Sequence, residues 1–299
     1  MISIAQKTAV LAETLPYMQK FAGKTFVIKY GGNAMVNEEL KKSVIQDIVL
    51  MKCIGINPIV VHGGGPEITS MLKQVGKQSS FVAGLRVTDA ETAAIAEMVL
   101  VGKINTEIVS LINQYGGRAV GLSGKDSDLI VAKKTLATVY ENGQAREVDI
   151  GYVGDVVKIN ANIIKILMTN SYIPVIAPVG SGLKGETFNI NADYVAGEVA
   201  AAVGAAKLVL LTDVEGIYRD YHDKSTFVST LPFSQAQEMV KTGSIDGGMI
   251  PKVEACIRAL SGGVDKTHIV DGRQPHSLLL EVFTATGIGT EVIKESGRG

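Results

Sequence analysis

The sequence predicts an α/β fold: a mainly parallel central sheet sandwiched by helices, in two lobes and led by an N-terminal helical arm. Three observations predict it. Short apolar runs of strand length alternate with longer stretches of helical periodicity along most of the chain. Glycine is abundant, 33 in 299 residues, which suits β–α–β units joined by many tight turns. Apolar residues make up 46 % and charged residues 20 %, enough to bury a full core and too little charge for a disordered chain.

In chain order, residues 1–21 read as the arm. Ile4, Leu11, Leu15 and Met18 fall on one helical face, and Pro16 is expected to kink or break that helix. The arm packs either on its own domain or on another subunit. An apolar strand over Thr25–Tyr30 precedes a helix over 37–54, a strand over 58–62 and a helix over 67–75. A long helical pattern covers 89–115, and a strand covers 120–122. Residues 129–158 break the alternation. Short β-prone segments at 129–133, 137–140, 146–150 and 153–158 are separated by Asn142-Gly143 and Gly151, and the Asn-Gly pair is a strong hairpin signal. They read as an antiparallel excursion from a parallel sheet. A helix over 161–169 and a strand over 172–177 resume the pattern. The Gly-rich stretch 178–185 is the expected break between lobes, dividing 22–182 from 183–299. Beyond it come a helix at 191–203, a strand at 207–211, helices at 234–241 and 251–260, and strands at 267–270 and Thr290–Ile293.

Charge and cysteine content narrow the function classes. A formal net charge of −1 gives no electrostatic case for nucleic acid. No apolar run reaches the length of a membrane span, and the N-terminus lacks the continuous apolar core of a signal peptide. Cys53 and Cys256 lie in apolar helical patterns without metal-ligand spacing, so both are expected as buried free thiols in a reducing compartment, the cytoplasm.

Three familiar motifs are imitated and rejected. Gly180-Ser181-Gly182-Leu183-Lys184-Gly185 has dinucleotide-motif spacing, but the next helix starts near Asn191 and no acidic residue follows at the required distance. His62-Gly63-Gly64-Gly65 resembles a hydrolase oxyanion loop, yet no G-x-S-x-G follows. Gly124-Lys125 is followed by Asp126 rather than Ser or Thr, so there is no P-loop.

Six loops at strand ends remain. Lys29-Tyr30-Gly31-Gly32-Asn33 closes the first strand and opens a helix, and glycines there let backbone N–H groups approach an anion. His62–Gly65 closes the second strand. Gly84-Leu85-Arg86-Val87-Thr88-Asp89 offers an Arg that suits a carboxylate or a surface ion pair. Asn189-Ile190-Asn191-Ala192-Asp193 leads into a helix, where capping explains one of the three Asx residues but not all. Thr212-Asp213-Val214-Glu215-Gly216-Ile217-Tyr218 follows a strand, and Asp246-Gly247-Gly248-Met249-Ile250-Pro251-Lys252 opens another helix with glycines and a Lys.

Together these loops resemble the amino acid kinase superfamily and, within it, the acetylglutamate kinases of arginine biosynthesis. The matching stretches run in order from 29 to 252. The resemblance implies ATP-dependent phosphorylation of the side-chain carboxylate of N-acetyl-L-glutamate, giving an acyl phosphate. It implies that 22–182 binds the acid and 183–299 binds ATP, with Mg²⁺ held mainly by phosphates and water, so no metal-ligating residue is named. Carried over by position, Lys29 and Lys252 stabilise the transferring phosphoryl group, and Asp193 orients them. Gly64, Gly65, Arg86, Asn189 and Asn191 serve the acid. Gly31, Gly32, Thr212, Asp213 and Tyr218 serve the nucleotide. A carboxylate with a reference pKa of about 4.3 is already ionised at neutral pH, so this chemistry requires no general base. The difficulty is an anion attacking an anion, which is met by positioning and positive charge.

The arm with Pro16 resembles that of arginine-inhibited members, which links dimers into a hexamer. The stretch from His268 through Glu281 to Gly287 resembles their arginine site, with Tyr17 contributed by the arm. Two other readings are a related kinase for a longer acid, such as an aminoadipate derivative, and a non-catalytic arginine sensor. The sensor would need dead catalytic positions, whereas Lys29, Asp193 and Lys252 are all present. Whether a nitrogen-signalling protein binds is left open by the resemblance.

Overall fold

The computed structural model describes residues 4–141, 144–245 and 247–295. The Asn142-Gly143 turn expected from the sequence, and Asp246, lie outside the described residues. The chain starts with α1 (Ile4–Phe21), followed by β1 (Thr25–Tyr30), a 3₁₀ turn (Gly32–Met35), α2 (Glu38–Cys53), β2 (Asn57–His62) and α3 (Gly65–Gln74). A small hairpin, β3 (Phe81–Val82) and β4 (Leu85–Arg86), precedes α4 (Ala90–Glu97), a π-helical segment (Met98–Asn105), α5 (Thr106–Gln114) and β5 (Ala119–Ser123). Two long strands, β6 (Ile130–Glu141) and β7 (Gln144–Ile159), lead to α6 (Asn162–Thr169), β8 (Ile173–Ala177), β9 (Val179–Ser181) and β10 (Thr187–Ile190). The second half holds α7 (Ala192–Val203), β11 (Lys207–Thr212), β12 (Ile217–Tyr218), β13 (Phe227–Val228), β14 (Thr230–Pro232) and α8 (Phe233–Thr242). It closes with α9 (Ile250–Ser261), β15 (Lys266–Asp271), α10 (Ser277–Val282) and β16 (Thr290–Ile293).

The main sheet has eight strands in the order β14-β16-β15-β11-β1-β2-β8-β5. All pairings are parallel except β15 with β16. Side chains alternate between its faces as the two-residue strand period demands. Phe26, Ile28 and Tyr30 of β1 join Val60, Val209 and Leu211 in the core under α2, α3 and α5. Val27, Ile59, Val61, Leu208 and Leu210 point the other way, into the core under α7 and α9. Lys29 shares the face of Val27, which aims it toward α7. The chain leaves β1 for β2 on one side and later returns to lay β11 on the other. β1 is therefore a topological switch point, and the crevice beyond its C-terminal end is where open α/β sheets bind ligands.

Local expectations are corrected at Pro16, at 129–158 and at Cys53. Pro16 does not end the arm helix, which continues to Phe21. Proline removes one backbone donor, but Tyr17, Met18 and Phe21 on its C-terminal side are anchored against the core. The four short segments at 129–158 are two long antiparallel strands, and register shifts at Val131/Ala132 and Lys134/Leu136 interrupt the alternation that marks a single strand. The Gly-rich stretch 178–185 holds β9 and most of the turn to β10; the two strands pair antiparallel and close a small barrel with β6 and β7. Cys53 is exposed, against expectation, while Cys256 is buried. No described helix is long and apolar enough to cross a membrane.

Candidate active site

The site is built at the C-terminal ends of the central strands. After β1 the backbone turns through Gly31 and Gly32, and Tyr30 pins the turn by donating its hydroxyl to Ala34 O at 2.8 Å. Gly32 has φ +69°, and a Cβ there would fall 2.5 Å from Asp213 Oδ1. A side chain is thus excluded both by conformation and by the loop after β11. The glycines after β2 fit a different constraint. A Cβ on Gly64 would lie 2.4 Å from Ile104 Cδ1 of the π segment, so glycine lets this loop sit against that helix.

Asp193, in the first turn of α7, is the electrostatic centre. Its Oδ1 lies 3.0 Å from Lys29 Nζ and its Oδ2 3.3 Å from Lys252 Nζ, with the Asp193 side chain only 6 % exposed. Burial by itself would raise its pKa. The charges of the two lysines outweigh that and hold the carboxyl below the usual range. Within this trio one carboxylate stands against two ammonium groups, a local excess of one positive charge. Asn191 caps α7 by accepting from Asp193 N at 2.8 Å, so its oxygen is committed and its amide nitrogen is the group left for a ligand.

Two cavities meet here. The smaller, about 240 Å³, contains Lys29, Gly31, Gly32, Gly64, Gly65, Arg86, Asn189, Asn191 and Asp193 on its wall. Arg86 is 7 % exposed, and its hydrogen bonds go to neutral oxygens: Gly65 O at 2.9 Å, Thr69 Oγ1 at 2.8 Å and Ser79 Oγ. Phe81 lies against its guanidinium, 4.7 Å from the ring centroid. A buried guanidinium held by neutral partners is prepared for an incoming carboxylate. The larger cavity, about 790 Å³, contains Lys29 and Gly32 again, with Thr212, Asp213, Tyr218 and Lys252. Lys29 and Gly32 form the boundary that both cavities share.

A net positive junction between an acid-sized and a larger cavity, at the end of a parallel sheet, is suited to moving a phosphoryl group. The sequence profile described as the amino acid kinase family matches residues 24–271. The chain belongs to the amino acid kinase family. Among curated relatives, the acetylglutamate kinase of Moorella thermoacetica is 59 % identical over 98 % of this chain and 99 % of its own. That of Heliobacterium modesticaldum is also 59 % identical, over 98 % of this chain and 100 % of its own. Among solved structures, the N-acetylglutamate synthase of Neisseria gonorrhoeae superposes with a TM-score of 0.82 at 26 % identity, over 99 % of this chain. This chain spans 64 % of that longer protein. Carbamate kinase from Giardia lamblia, at 18 % identity and a TM-score of 0.65 over 92 % of this chain, shares the fold.

Within this amino acid kinase fold, the Thr212 side chain shapes the loop that follows β11. Its hydroxyl donates to Val214 O at 3.1 Å, and the residue is 2 % exposed. Tyr218 hydrogen-bonds Glu215 and lies beneath Lys224, 4.5 Å from the ring centroid.

A third cavity, about 380 Å³, brings Tyr17, His268, Glu281 and Gly287 together. His268 Nδ1 lies 2.6 Å from Glu281 Oε1, and Glu281 Oε2 accepts from Ile288 N at 2.7 Å and Gly289 N at 2.9 Å. Burial would raise the Glu281 pKa, but its bond to His268 and the backbone donors keep it below the usual range. Gly287, at φ +63°, would carry a Cβ 2.7 Å from Glu281 Oε2. Sequence reasoning missed Lys207, which is 8 % exposed at the start of β11 with its Nζ 2.8 Å from His268 Nε2. Burial pushes its pKa down to about 8. Nothing local distinguishes a strand-leading Lys that is buried from one that is solvated. Ser79, Thr69 and Phe81, which orient Arg86, were missed for the same reason.

Proposed function

We propose that the chain transfers the γ-phosphoryl group of ATP to the side-chain carboxylate of N-acetyl-L-glutamate, an acetylglutamate kinase reaction that commits the product to arginine biosynthesis. The supporting observation is the shared boundary: the cavity holding Arg86 and the cavity holding Tyr218 touch at Lys29 and Gly32. Full-length relatives carrying that enzyme name at 59 % identity support the same reading. The acid occupies the smaller cavity, with Arg86 paired to its α-carboxylate and the Asn191 amide and the Gly64–Gly65 turn holding the remainder. The ionised side-chain carboxylate then faces Lys29. Lys29 and Lys252 offset the charge that accumulates on the transferring group, and Asp193 keeps both ammonium groups aimed at it. Asp193 is not the base, because the nucleophile carries no proton.

The half covering 22–182 supplies most of the acid site. The half covering 183–299 supplies the nucleotide loops and shares the α7 N-terminus with the acid. Mg²⁺ is carried mainly on the nucleotide phosphates and water. The third cavity is read as an arginine site: carboxylates Glu281 and Glu291 face a guanidinium, and Lys20, Lys207 and Lys266 face an α-carboxylate. The arm helix, which places Tyr17 and Lys20 on that wall, is read as the contact that links dimers into a hexamer. A solution mass of only two chains by light scattering would confine the arm to its own domain. The reading places the enzyme in the cytoplasm.

The deciding assay is ADP release with N-acetylglutamate as acceptor, with and without arginine. Release that requires acetylglutamate and falls with arginine is expected. Release only with a longer acid, such as an aminoadipate derivative, would move the substrate and leave the lysines in place. Release indifferent to arginine would remove the regulatory reading alone.

A further inference from the structure

Helices α7 and α9 both begin at the phosphoryl-transfer junction and run side by side in the same direction. Asp193 meets Lys252 at their starts. One turn on, a Cβ on Gly197 would lie 2.7 Å from Ala255 O, and past the end of α9 a Cβ on Gly262 would lie 2.3 Å from Ala201 Cβ. The paired positions advance together along both helices. Small residues bring the backbones close, but a smooth seam gives little resistance to axial sliding.

Resistance is supplied on the flank of the seam. The Tyr194 hydroxyl donates to Glu254 Oε2 at 2.5 Å. The Arg258 guanidinium stacks on the Tyr194 ring, 4.5 Å from its centroid. Arg258 Nη1 also reaches Glu198 Oε1 at 3.4 Å and Asp155 Oδ1 of β7 at 2.8 Å. Tyr194 directly follows Asp193, and Glu254 lies two residues beyond Lys252. This polar clasp therefore spans the two helices next to the two charged groups whose separation matters.

We propose that Tyr194, Glu254 and Arg258 are positioning residues for phosphoryl transfer, fixing the axial register of α7 against α9 and with it the place of the Lys252 ammonium. The proposal rests on the kinase reading of Lys252 and Asp193. Among the described residues, Lys252 makes the 3.3 Å ion pair to Asp193 and a 3.4 Å bond to Gly248 O, so its side chain depends on where its helix stands. A displacement of about 1 Å at a reacting group lowers turnover by about 10²-fold. Arg258 extends the clasp to β7, whose Val153 lines the acid cavity, so the helix pair is also tied to the acid side.

The test measures kcat and KM for acetylglutamate in Tyr194→Phe, Glu254→Ala, Glu254→Gln and the double variant Tyr194→Phe/Glu254→Ala. Tyr194→Phe keeps the ring under Arg258 and removes only the hydroxyl. It and Glu254→Ala are expected to lower kcat about tenfold with KM within twofold. The double variant should match either single change, since both break one bond. Glu254→Gln keeps an acceptor oxygen and should return kcat to within about twofold of the parent. Unchanged kcat in Tyr194→Phe and Glu254→Ala, with a lowered melting temperature, would make the clasp a stabilising contact and overturn the proposal. Losses in KM alone would also overturn it. The parent enzyme's acetylglutamate-dependent turnover tests the kinase reading separately, because the proposal is read from the variant-to-parent ratio.

Discussion

Two clusters of buried charge lie on the same sheet and are balanced in opposite ways. At the end of β1, Asp193 stands between Lys29 and Lys252, so one negative group faces two positive ones. Toward the N-terminal ends of β11 and β15, Lys207, His268 and Glu281 form a chain in which each group is satisfied by the next. His268 bonds both neighbours, and backbone N–H groups complete the Glu281 carboxylate. The first cluster keeps a surplus of positive charge and opens it to two cavities, as a reaction between anions requires. The second is close to neutral, because the Glu281 carboxylate balances the Lys207 ammonium and burial lowers the pKa of His268, which keeps the imidazole between them uncharged. It suits a zwitterion that exchanges partners with it. Glycines mark both: Gly32 against Asp213 in one, Gly287 against Glu281 in the other.

The largest effect that would break this contrast is at the surplus charge. Lys29→Ala should lower kcat by about 10³-fold or more while circular dichroism shows the fold retained. A folded variant with near-normal turnover would show that the surplus is not used. At the compensated cluster, Glu281→Gln should leave the carboxamide with a weaker hold on both His268 and a guanidinium. The concentration of arginine that halves activity is expected to rise about tenfold or more, and an unchanged inhibition curve would remove Glu281 from the proposed arginine site.

A pH-dependent effect concerns a third buried group, one that is uncharged. His62 ends β2 fully buried, with Nε2 3.1 Å from Asn105 Nδ2, and burial lowers its pKa to about 4. The unfolded chain takes up a proton near pH 6.5 that the folded protein refuses until about pH 4. Stability from this residue is therefore complete above pH 6.5 and falls as pH drops toward 4, by about 3 kcal/mol in all. Denaturant titrations of the parent and His62→Gln should differ in slope across that window, and parallel pH profiles would contradict the assignment. Asp193 contributes the same sign at lower pH. Its carboxyl is held below the usual range, so its stabilisation is present above about pH 4 and lost as the pH falls further.

The sequence by itself determined the alternation of strands and helices and the loops that carry the chemistry. Local physics fixes those features: glycines at positive φ, an Asn cap before α7, and apolar runs of strand length. The loops of the two junction cavities were legible because strand ends converge on one edge of a parallel sheet, whereas Tyr17, His268, Glu281 and Gly287 were carried over from the family resemblance. Tertiary structure alone decided which charges are buried and how they are shared. Lys207 is a buried, pKa-shifted group because β11 lies between β1 and β15, and nothing in its neighbours along the chain says so. The barrel of β6, β7, β9 and β10 was hidden because bulges interrupt its alternation and the glycines of its closing hairpin carry no strand signal. The Tyr194–Glu254–Arg258 clasp was hidden for a related reason. Its partners lie about 60 residues apart and meet only because two helices stand in one particular register, which packing sets and local sequence does not.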